Sequence, residues 1–230
     1  MAADNQTWGA ERIRGELLKL GIKVSKRTVQ KYMKRKDSPS PSGQTWATFL
    51  RNHASQIWAC DFTQVTDIMF RSLFIFIIIE HASRRIVHVA ITSNPSDVWV
   101  AQQLRESTPW GEGPKYLIRD NDPKFGQHFS AVAEGTGIKE IRTPTGAPNA
   151  NAICERFFGS LRRECLDHIL ILNERHLQGV TGEYLDYYHQ ARPHQGLDQC
   201  IPSGVERPQT GKVVAFPVLE GLHYDYRRAA

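Results

Sequence analysis

Apolar residues near the start of the chain recur at helical spacing in two short stretches. Residues 8–20 and 25–36 each place apolar side chains on one face, Gly21 interrupts the pattern between them, and Ser25 suits the N-cap of the second stretch. A helix, a short glycine-containing turn and a basic helix are typical of a DNA-contacting helix-turn-helix, although a plain helical hairpin with a solvated basic face also fits. The side chains predicted to face outward from the second helix are Arg27, Gln30, Lys31 and Lys34.

Beyond these helices the pattern breaks and then changes to that of β-strands. Residues 36–44 are rich in Pro, Ser and Gly without an apolar period, which predicts a linker, and a second domain is expected to begin near residue 54. Residues 56–65 predict a strand with Asp61 on the same side as Ile57 and Ala59, residues 71–81 are almost wholly apolar, and residues 84–93 predict a third strand. Because the turns are short, we predict a meander of three antiparallel strands whose middle strand is buried on both faces.

The rest of the chain alternates between helices and short strands. The resulting order, βββαβαβαα, predicts an α/β fold in which a mixed sheet has helices on both faces. The last 20 residues predict short strands that pack on the body or lie free. The predicted elements after the meander are a helix over 95–107 capped by Ser96, a strand over 115–120, a helix over 123–135, a strand over 137–143, and helices over 149–167 and 173–190.

Positive charge is concentrated at the N-terminus. The 230-residue chain has a net charge of +5, but residues 1–36 hold ten of its 29 Lys and Arg and three of its 24 Asp and Glu. That segment therefore carries +7, whereas the other 194 residues carry −2. Such clustering is the footprint of a contact with phosphate groups, so we expect nucleic acid as a partner.

The cysteines and the longest apolar run disfavour zinc-binding, disulfide-linked and membrane-spanning proteins. The four cysteines form no CxxC pair and no Cys/His zinc spacing, and Cys60 and Cys154, each directly before an acid, are predicted to be small buried side chains. The longest apolar run, residues 73–79, is far shorter than the roughly 20 residues that cross a bilayer. We therefore expect a reduced, cytoplasmic protein without a membrane partner.

Three acidic residues occupy positions where an apolar or small residue is the usual choice. Asp61 lies within a predicted buried strand, Asp120 ends another, and Glu155 lies in the helix over 149–167. Ionised carboxylates are rarely left inside a sheet unless they are paired or bind a cation. Asp120 alone also fits a turn or cap. Together the three acids suggest a shared Mg²⁺ site, in which two cations could support in-line phosphoryl transfer.

The helix that carries Glu155 is also rich in arginine. Arg162 lies two turns after Glu155 on the same face, and Asn151 lies one turn before it. The other basic residues of this helix are Arg156 and Arg163. One interpretation is that Glu155 faces metal ions while the four other side chains contact DNA. An amphipathic surface helix with outward Glu/Arg pairs fits the spacing equally well.

Over residues 55–205 the chain resembles the integrase catalytic core shared by retroviral integrases and bacterial insertion-sequence transposases with an Asp-Asp-Glu triad. The segments that carry the resemblance are IWACDFTQV with Asp61, LIRDNDPKFG with Asp120, and TPTGAPNANAICERFFGSLRREC with Glu155. Glu155 lies 35 positions after Asp120, close to the separation in the family. A basic residue seven positions after the glutamate, here Arg162, is typical of the bacterial branch, and DYYHQARPHQGL is similar to that branch's ending.

This resemblance implies a ribonuclease H-like fold and a polynucleotidyl transferase activity. It implies that Asp61, Asp120 and Glu155 bind two Mg²⁺ (or Mn²⁺) ions and activate water or a DNA 3′-hydroxyl. Asp122, the local rival to Asp120, is assigned to a turn or cap. The implied reaction is hydrolytic nicking at the ends of a mobile element and strand transfer into target DNA. The implied working form is a homo-oligomer on paired DNA ends.

We divide the chain into a helix-turn-helix-like segment over 1–36, a linker over 37–53, an integrase catalytic core over 54–205 and a C-terminal tail over 206–230. A complete helix-turn-helix needs an earlier helix, and seven residues precede Trp8, so the first segment is predicted to be truncated. The chain has no His/His/Cys/Cys zinc module of the retroviral kind.

Two other functions fit the same residues. A decayed or truncated copy would bind DNA without cutting it, and a nuclease of the same fold would hydrolyse DNA without joining strands. The intact set of three acids counts against the decayed copy, whereas only a strand-transfer assay with a pre-cut end separates the nuclease from an integrase or transposase.

Overall fold

Most of the chain has a defined structure in the computed structural model. The described residues are 8–33, 46–143, 151–205, 207–208 and 210–229. Lys34 and the first part of the predicted linker lie outside them, as does the start of the helix predicted over 149–167. The chain divides into two compact units, residues 1–48 and 49–230. Within the described ranges, every helix is too short or too polar to span a bilayer.

The smaller unit contains the two helices predicted near the N-terminus. Helix α1 (Ala10–Lys19) is followed by Gly21, whose φ of 76° lies in the left-handed region that glycine adopts readily after a helix. Helix α2 (Lys26–Tyr32) begins after Ser25, whose hydroxyl accepts a hydrogen bond from the amide of Thr28 (3.1 Å). The helix, glycine turn and N-cap predicted from the sequence are therefore present.

The larger unit is built on five strands, which are β1 (Ile57–Thr66), β2 (Ser72–Glu80), β3 (Ile86–Thr92), β4 (Tyr116–Arg119) and β5 (Lys139–Arg142). They form one sheet in the order β3-β2-β1-β4-β5. The first three strands pair antiparallel as the predicted meander, and β4 and β5 join in parallel. The middle strand is buried over most of its length, as its unbroken apolar run predicts.

Four helices cover both faces of this sheet. They are α4 (Asp97–Ser107), α5 (Gln127–Gly135), α6 (Ala152–Glu164) and α7 (Glu174–Gln190). Helices α4 and α5 bury the side of the sheet that carries Cys60, Phe76 and Leu117. Helices α6 and α7 pack against β1, β2 and β3. Because side chains alternate along a strand, the residues next to Cys60 and Leu117 face the α6 side of the sheet.

One boundary of the sequence analysis is corrected by a further helix, α3 (Trp46–His53). It occupies the second part of the linker predicted over 37–53. The rings of Phe49 and His53 lie 5.1 and 5.4 Å from the ring of Tyr116 at the start of β4. Aromatic packing of this kind stabilises a helix that would be too short to be stable alone.

The C-terminal residues form a hairpin of two antiparallel strands, β6 (Val213–Val218) and β7 (His223–Arg228). The imidazole of His223 stacks on the ring of Tyr187 in α7 at 5.0 Å. The predicted short strands are therefore present and pack on the body of the larger unit.

Candidate active site

The register of the sheet brings Asp61 and Asp120 together. Asp61 is partly buried in the middle of β1 and pairs with Ile77 of β2. Ala59 shares its face of β1 and pairs with Ile118 of β4. Asp120 follows Ile118 by two residues and lies on the same face, directly after β4 ends. The two carboxylates therefore occupy equivalent positions on neighbouring strands.

The third acid is supplied by α6, which packs on this face of the sheet. Asn151 precedes the helix, and its side-chain Nδ2 donates to the carbonyl of Cys60 (3.2 Å), the residue before Asp61. Glu155 lies one turn after Asn151, and its side chain is exposed. The hydrogen bond fixes the start of α6 against β1, and this places Glu155 on the side of the helix near Asp61.

The pKa of Asp61 is raised by burial and by the neighbouring acids. Burial is the main reason that the pKa of Asp61 is raised to about 7. The carboxylates of Asp120, Asp122 and Glu155 raise it further by repulsion, while a hydrogen bond from the amide of Phe62 (2.7 Å) opposes the rise. The three acids singled out in the sequence therefore share one electrostatic environment.

The donor set suits a hard divalent cation. Carboxylate oxygens are the ligands that Mg²⁺ prefers, and the Oδ1 atom of buried Asn151 has no hydrogen-bond partner in the described part of the chain. A cation would also offset the repulsion that raises the pKa of Asp61. Among the described residues, no three His, Cys, Asp or Glu side chains are already drawn together as a formed metal site.

The carboxylate of Asp122, the alternative to Asp120 in the sequence analysis, bonds within its own turn. Its carboxylate accepts hydrogen bonds from the amide (2.9 Å) and the Nζ (2.7 Å) of Lys124. Its backbone amide donates to the Oδ1 atom of Asp120 (3.1 Å). These contacts fit the turn role that the sequence analysis gave Asp122, and they orient the carboxylate of Asp120.

Two residues predicted to contact DNA join α6 to β1. The Nη2 atom of Arg162 donates to the Oγ1 atom of Thr63 (2.8 Å) and to the carbonyl of Gln64 (2.6 Å). Asn151 is only 6 % exposed and bonds to Cys60. We therefore correct the role of Asn151 from DNA contact to positioning, because its side chain is buried. Arg162 remains exposed as a residue, so it can still reach a phosphate.

Arg156 and Arg163 point to a different surface. They line a cavity of about 360 Å³ together with Arg84, from the turn between β2 and β3, and Arg192, from the segment after α7. The sequence analysis grouped Arg156 and Arg163 with Arg162, but the structure separates them. Arg84 and Arg192 were missed because they are distant in sequence. Arg192 lies in the RPHQGL segment of the family resemblance, and that was the available signal.

On α2 of the smaller unit, Arg27 and Lys31 are exposed as predicted. Gln30 is exposed on the same helix. Neither basic side chain forms an ion pair within the described ranges, so both are available to an anionic partner. A DNA contact through this helix remains a prediction.

Comparison with known proteins gives matches to an integrase domain and to insertion-element proteins. Residues 136–202 match the integrase core domain. The chain is 25% identical over 174 residues to an uncharacterized 39.2 kDa protein of insertion element IS476 from Xanthomonas euvesicatoria, an alignment covering 75% of this chain and 50% of that protein. The chain spans about half the length of the curated relatives it matches.

Solved structures with the same fold include two from retroviruses. The magnesium complex of the HTLV-2 integrase catalytic core domain matches with a TM-score of 0.52 and 15% identity, over 65% of this chain and 94% of that one. A chain of the simian T-cell lymphotropic virus intasome in complex with the PP2A regulatory subunit B56 gamma matches with a TM-score of 0.56 and 13% identity, over 94% of this chain and 83% of that one. These likenesses confirm the predicted ribonuclease H-like mixed sheet flanked by helices. The chain is therefore similar in sequence to proteins of insertion elements, and part of it matches the integrase core domain.

Proposed function

We propose that this protein cleaves DNA at the ends of a mobile element and joins those ends to target DNA. In this proposal Asp61, Asp120 and Glu155 bind two Mg²⁺ or Mn²⁺ ions. The observation that supports it most is the convergence of acids from a strand, a strand end and a helix, because Asp120 and Glu155 add to the burial that raises the pKa of Asp61 to about 7.

The surrounding residues suit this chemistry. When bound, two divalent ions activate the attacking oxygen and stabilise the leaving oxygen of an in-line phosphoryl transfer. Asp61 and Asp120 form the rigid side of the site because they lie on neighbouring strands. Burial raises the pKa of the Cys60 and Cys154 thiols well above the ordinary value, so both stay protonated and are poor ligands for the ions.

DNA is the proposed partner, and the protein is proposed to act on it as a homo-oligomer. The exposed Arg27 and Lys31 of α2 are proposed to contact phosphates, as is Arg162 next to the acids. One curated relative is a protein of an insertion element. One structural neighbour is a chain of an intasome. The cytoplasmic location expected from the sequence stays a prediction.

A cleavage and joining assay tests this proposal. A labelled duplex with the terminal sequence of the chain's own genomic flank is incubated with wild type, Glu155→Gln or Glu134→Gln, with and without Mg²⁺, and resolved on a denaturing gel. Glu134 is an exposed glutamate on α5 and serves as the matched control. We expect Mg²⁺-dependent products from the wild type and Glu134→Gln, and none from Glu155→Gln.

The other outcomes separate the alternatives. Wild-type product levels from Glu155→Gln would contradict the assigned triad. Cleavage without joining of a pre-cut end would identify a nuclease. Retained DNA binding without any product from the wild type would identify a DNA-binding copy that has lost catalysis.

A further inference from the structure

The cavity on the second face of α6 is lined by four arginines. We call it the arginine pocket and define it by Arg84, Arg156, Arg163 and Arg192. Its walls come from the turn between β2 and β3, from α6, and from the segment after α7. Four arginines from three separate elements around one cavity are not the pattern of a single solvated helix face.

The positive charge of the arginine pocket is largely uncompensated. Arg192 is paired with the carboxylate of Glu164, with Nη2 2.6 Å from Oε1. Arg84, Arg156 and Arg163 have no acidic partner anywhere in the described part of the chain. Burial lowers the pKa of Arg84, and the nearby charge of Arg156 lowers it further. Like charges that line one cavity without a carboxylate partner are the arrangement that a bound anion would stabilise.

The backbone also accommodates these side chains. Arg84 has a φ of 64°, in the left-handed region that favours glycine, so a large cationic residue is held there against its backbone preference. One glycine leaves room for a guanidinium group, since a Cβ at Gly159 would lie only 3.0 Å from Nη1 of Arg163. A Cβ at Gly196 would be in ordinary contact, 3.7 Å from Nε of Arg84.

We propose that the arginine pocket binds a phosphate group of the DNA backbone, at a place distinct from the three carboxylates. The inference rests on the proposed function, because it takes DNA as the ligand. A guanidinium group matches phosphate geometry through its fork of N–H donors. Arg156 directly follows Glu155, so the pocket and the carboxylates lie on neighbouring faces of one helix, about 100° apart. A duplex held in the pocket would therefore be fixed in register with the active site.

The salt dependence of DNA binding tests this inference without any cleavage. Binding of a fluorescent duplex to the full chain is measured by anisotropy across a salt series in EDTA, for wild type, Arg84→Gln and Arg163→Gln. Each lost phosphate contact reduces the slope of log K against log salt by about 0.9. We expect both variants to lose about one contact and to bind severalfold more weakly at low salt.

The control is Arg105→Gln, which removes the same charge from an exposed position at the end of α4. We expect Arg105→Gln to keep the wild-type slope. Arg163 is exposed on a stable helix, so Arg163→Gln gives a result even if the turn at Arg84 tolerates no change. Wild-type slopes for both pocket variants, or no DNA binding by the wild type, would overturn the inference.

A second arm distinguishes DNA from free phosphate. Thermal melts are recorded with inorganic phosphate and, separately, with the duplex. If phosphate alone stabilises the wild type but not Arg163→Gln, and the DNA slopes stay equal, the pocket serves a free anion and the inference is wrong. If the wild type cleaves DNA but both pocket variants keep its salt slope, only the inference about the arginine pocket is contradicted. If the variants change the slope but the wild type does not cleave DNA, only the proposed function is contradicted.

Discussion

The two ends of α6 carry the same kinds of charged residue but balance them differently. At its C-terminal end, the carboxylate of Glu164 accepts hydrogen bonds from Nε and Nη2 of Arg192 (2.7 and 2.6 Å) and from the hydroxyl of Tyr184 (3.0 Å). These contacts hold the pKa of Glu164 below its ordinary value although burial opposes them. At the N-terminal end, Glu155 has no such partner in the described residues, and the pKa of nearby Asp61 is raised.

The difference distinguishes charged residues that stabilise the fold from charged residues whose partner would be a ligand. A balanced cluster also occurs in the C-terminal hairpin, where Asp225 is paired with Arg207 and Arg227. The candidate active-site carboxylates and the arginine pocket are both unbalanced, with opposite signs. Clustered like charges destabilise a folded chain, so their presence beside one another on α6 fits a ligand that contains both cations and phosphates.

The largest expected effect tests whether the unbalanced acids are the ones that act. Asp120→Asn removes a proposed metal ligand, so we expect Mg²⁺-dependent cleavage to fall by at least about 100-fold. Asp122→Asn is the matched control two residues away, because Asp122 is already paired with Lys124. We expect it to retain activity within about tenfold. Equal losses in the two variants, measured as initial cleavage rates, would contradict the assignment of Asp120.

A substitution at the C-terminal end of α6, where charges are paired, should change the stability of the protein and not its catalytic activity. Arg192→Met leaves the carboxylate of Glu164 half-buried without its partner, and we expect unfolding to become easier by about 2–4 kcal/mol. Urea denaturation measures this loss. The double variant Arg192→Met with Glu164→Gln should recover part of it, because the unpaired charge is gone. No recovery would show that packing, not charge, determines the effect.

The pH dependence of that ion pair has a definite sign. The pKa of Glu164 is lowered in the folded protein, so its contribution is present above the unfolded value near 4.3 and is lost as pH falls through the folded value. The stability difference between wild type and Arg192→Met should therefore shrink below about pH 4. A difference that stays constant down to pH 3 would contradict the ion-pair explanation.

The sequence indicated the carboxylate cluster but not the arginine pocket, and the reason is physical. Asp61 and Asp120 interrupt or end apolar runs, so each is an anomaly that can be seen locally. The sheet itself was predictable because its main strands are short, largely apolar runs separated by short turns. Arg84 and Arg192 look like ordinary turn and loop residues, and only the packing of α6 on the sheet brings them to Arg156. The same packing decided that Asn151 is buried.

A smaller effect concerns the folding stability lost when Asp61 is ionised beside the other acids of the candidate site. The pKa of Asp61 is about 7 in the folded protein and near 3.9 when unfolded, so the folded state holds the proton more tightly. Metal-free wild type should therefore lose stability as pH rises from about 4 to 7. We expect Asp61→Asn to be more stable by about 1–2 kcal/mol at pH 8, allowing for partial exposure, and by less at pH 5.

Thermal melts in EDTA at the two pH values measure this gain. Addition of Mg²⁺ should then raise the melting temperature of wild type more than that of Asp61→Asn, because the variant lacks a ligand. A gain of the same size at pH 5 and pH 8 would contradict ionisation of Asp61 as its origin.

The smallest effect distinguishes a structural arginine from one kept for a ligand. Arg84 adopts a left-handed conformation and carries an unpaired charge, so Arg84→Gly removes backbone strain and repulsion from Arg156 together. We expect the free energy of unfolding to rise by about 0.5–1 kcal/mol, while DNA binding weakens.

Phe70→Gly is the control, since Phe70 has a φ of 59° in an exposed turn and lies outside the arginine pocket. It should gain similar stability in urea titrations with unchanged DNA binding. Loss of stability in Arg84→Gly would instead show that the guanidinium holds the loop at Gly196, and the arginine pocket would then belong with the clusters that maintain the fold.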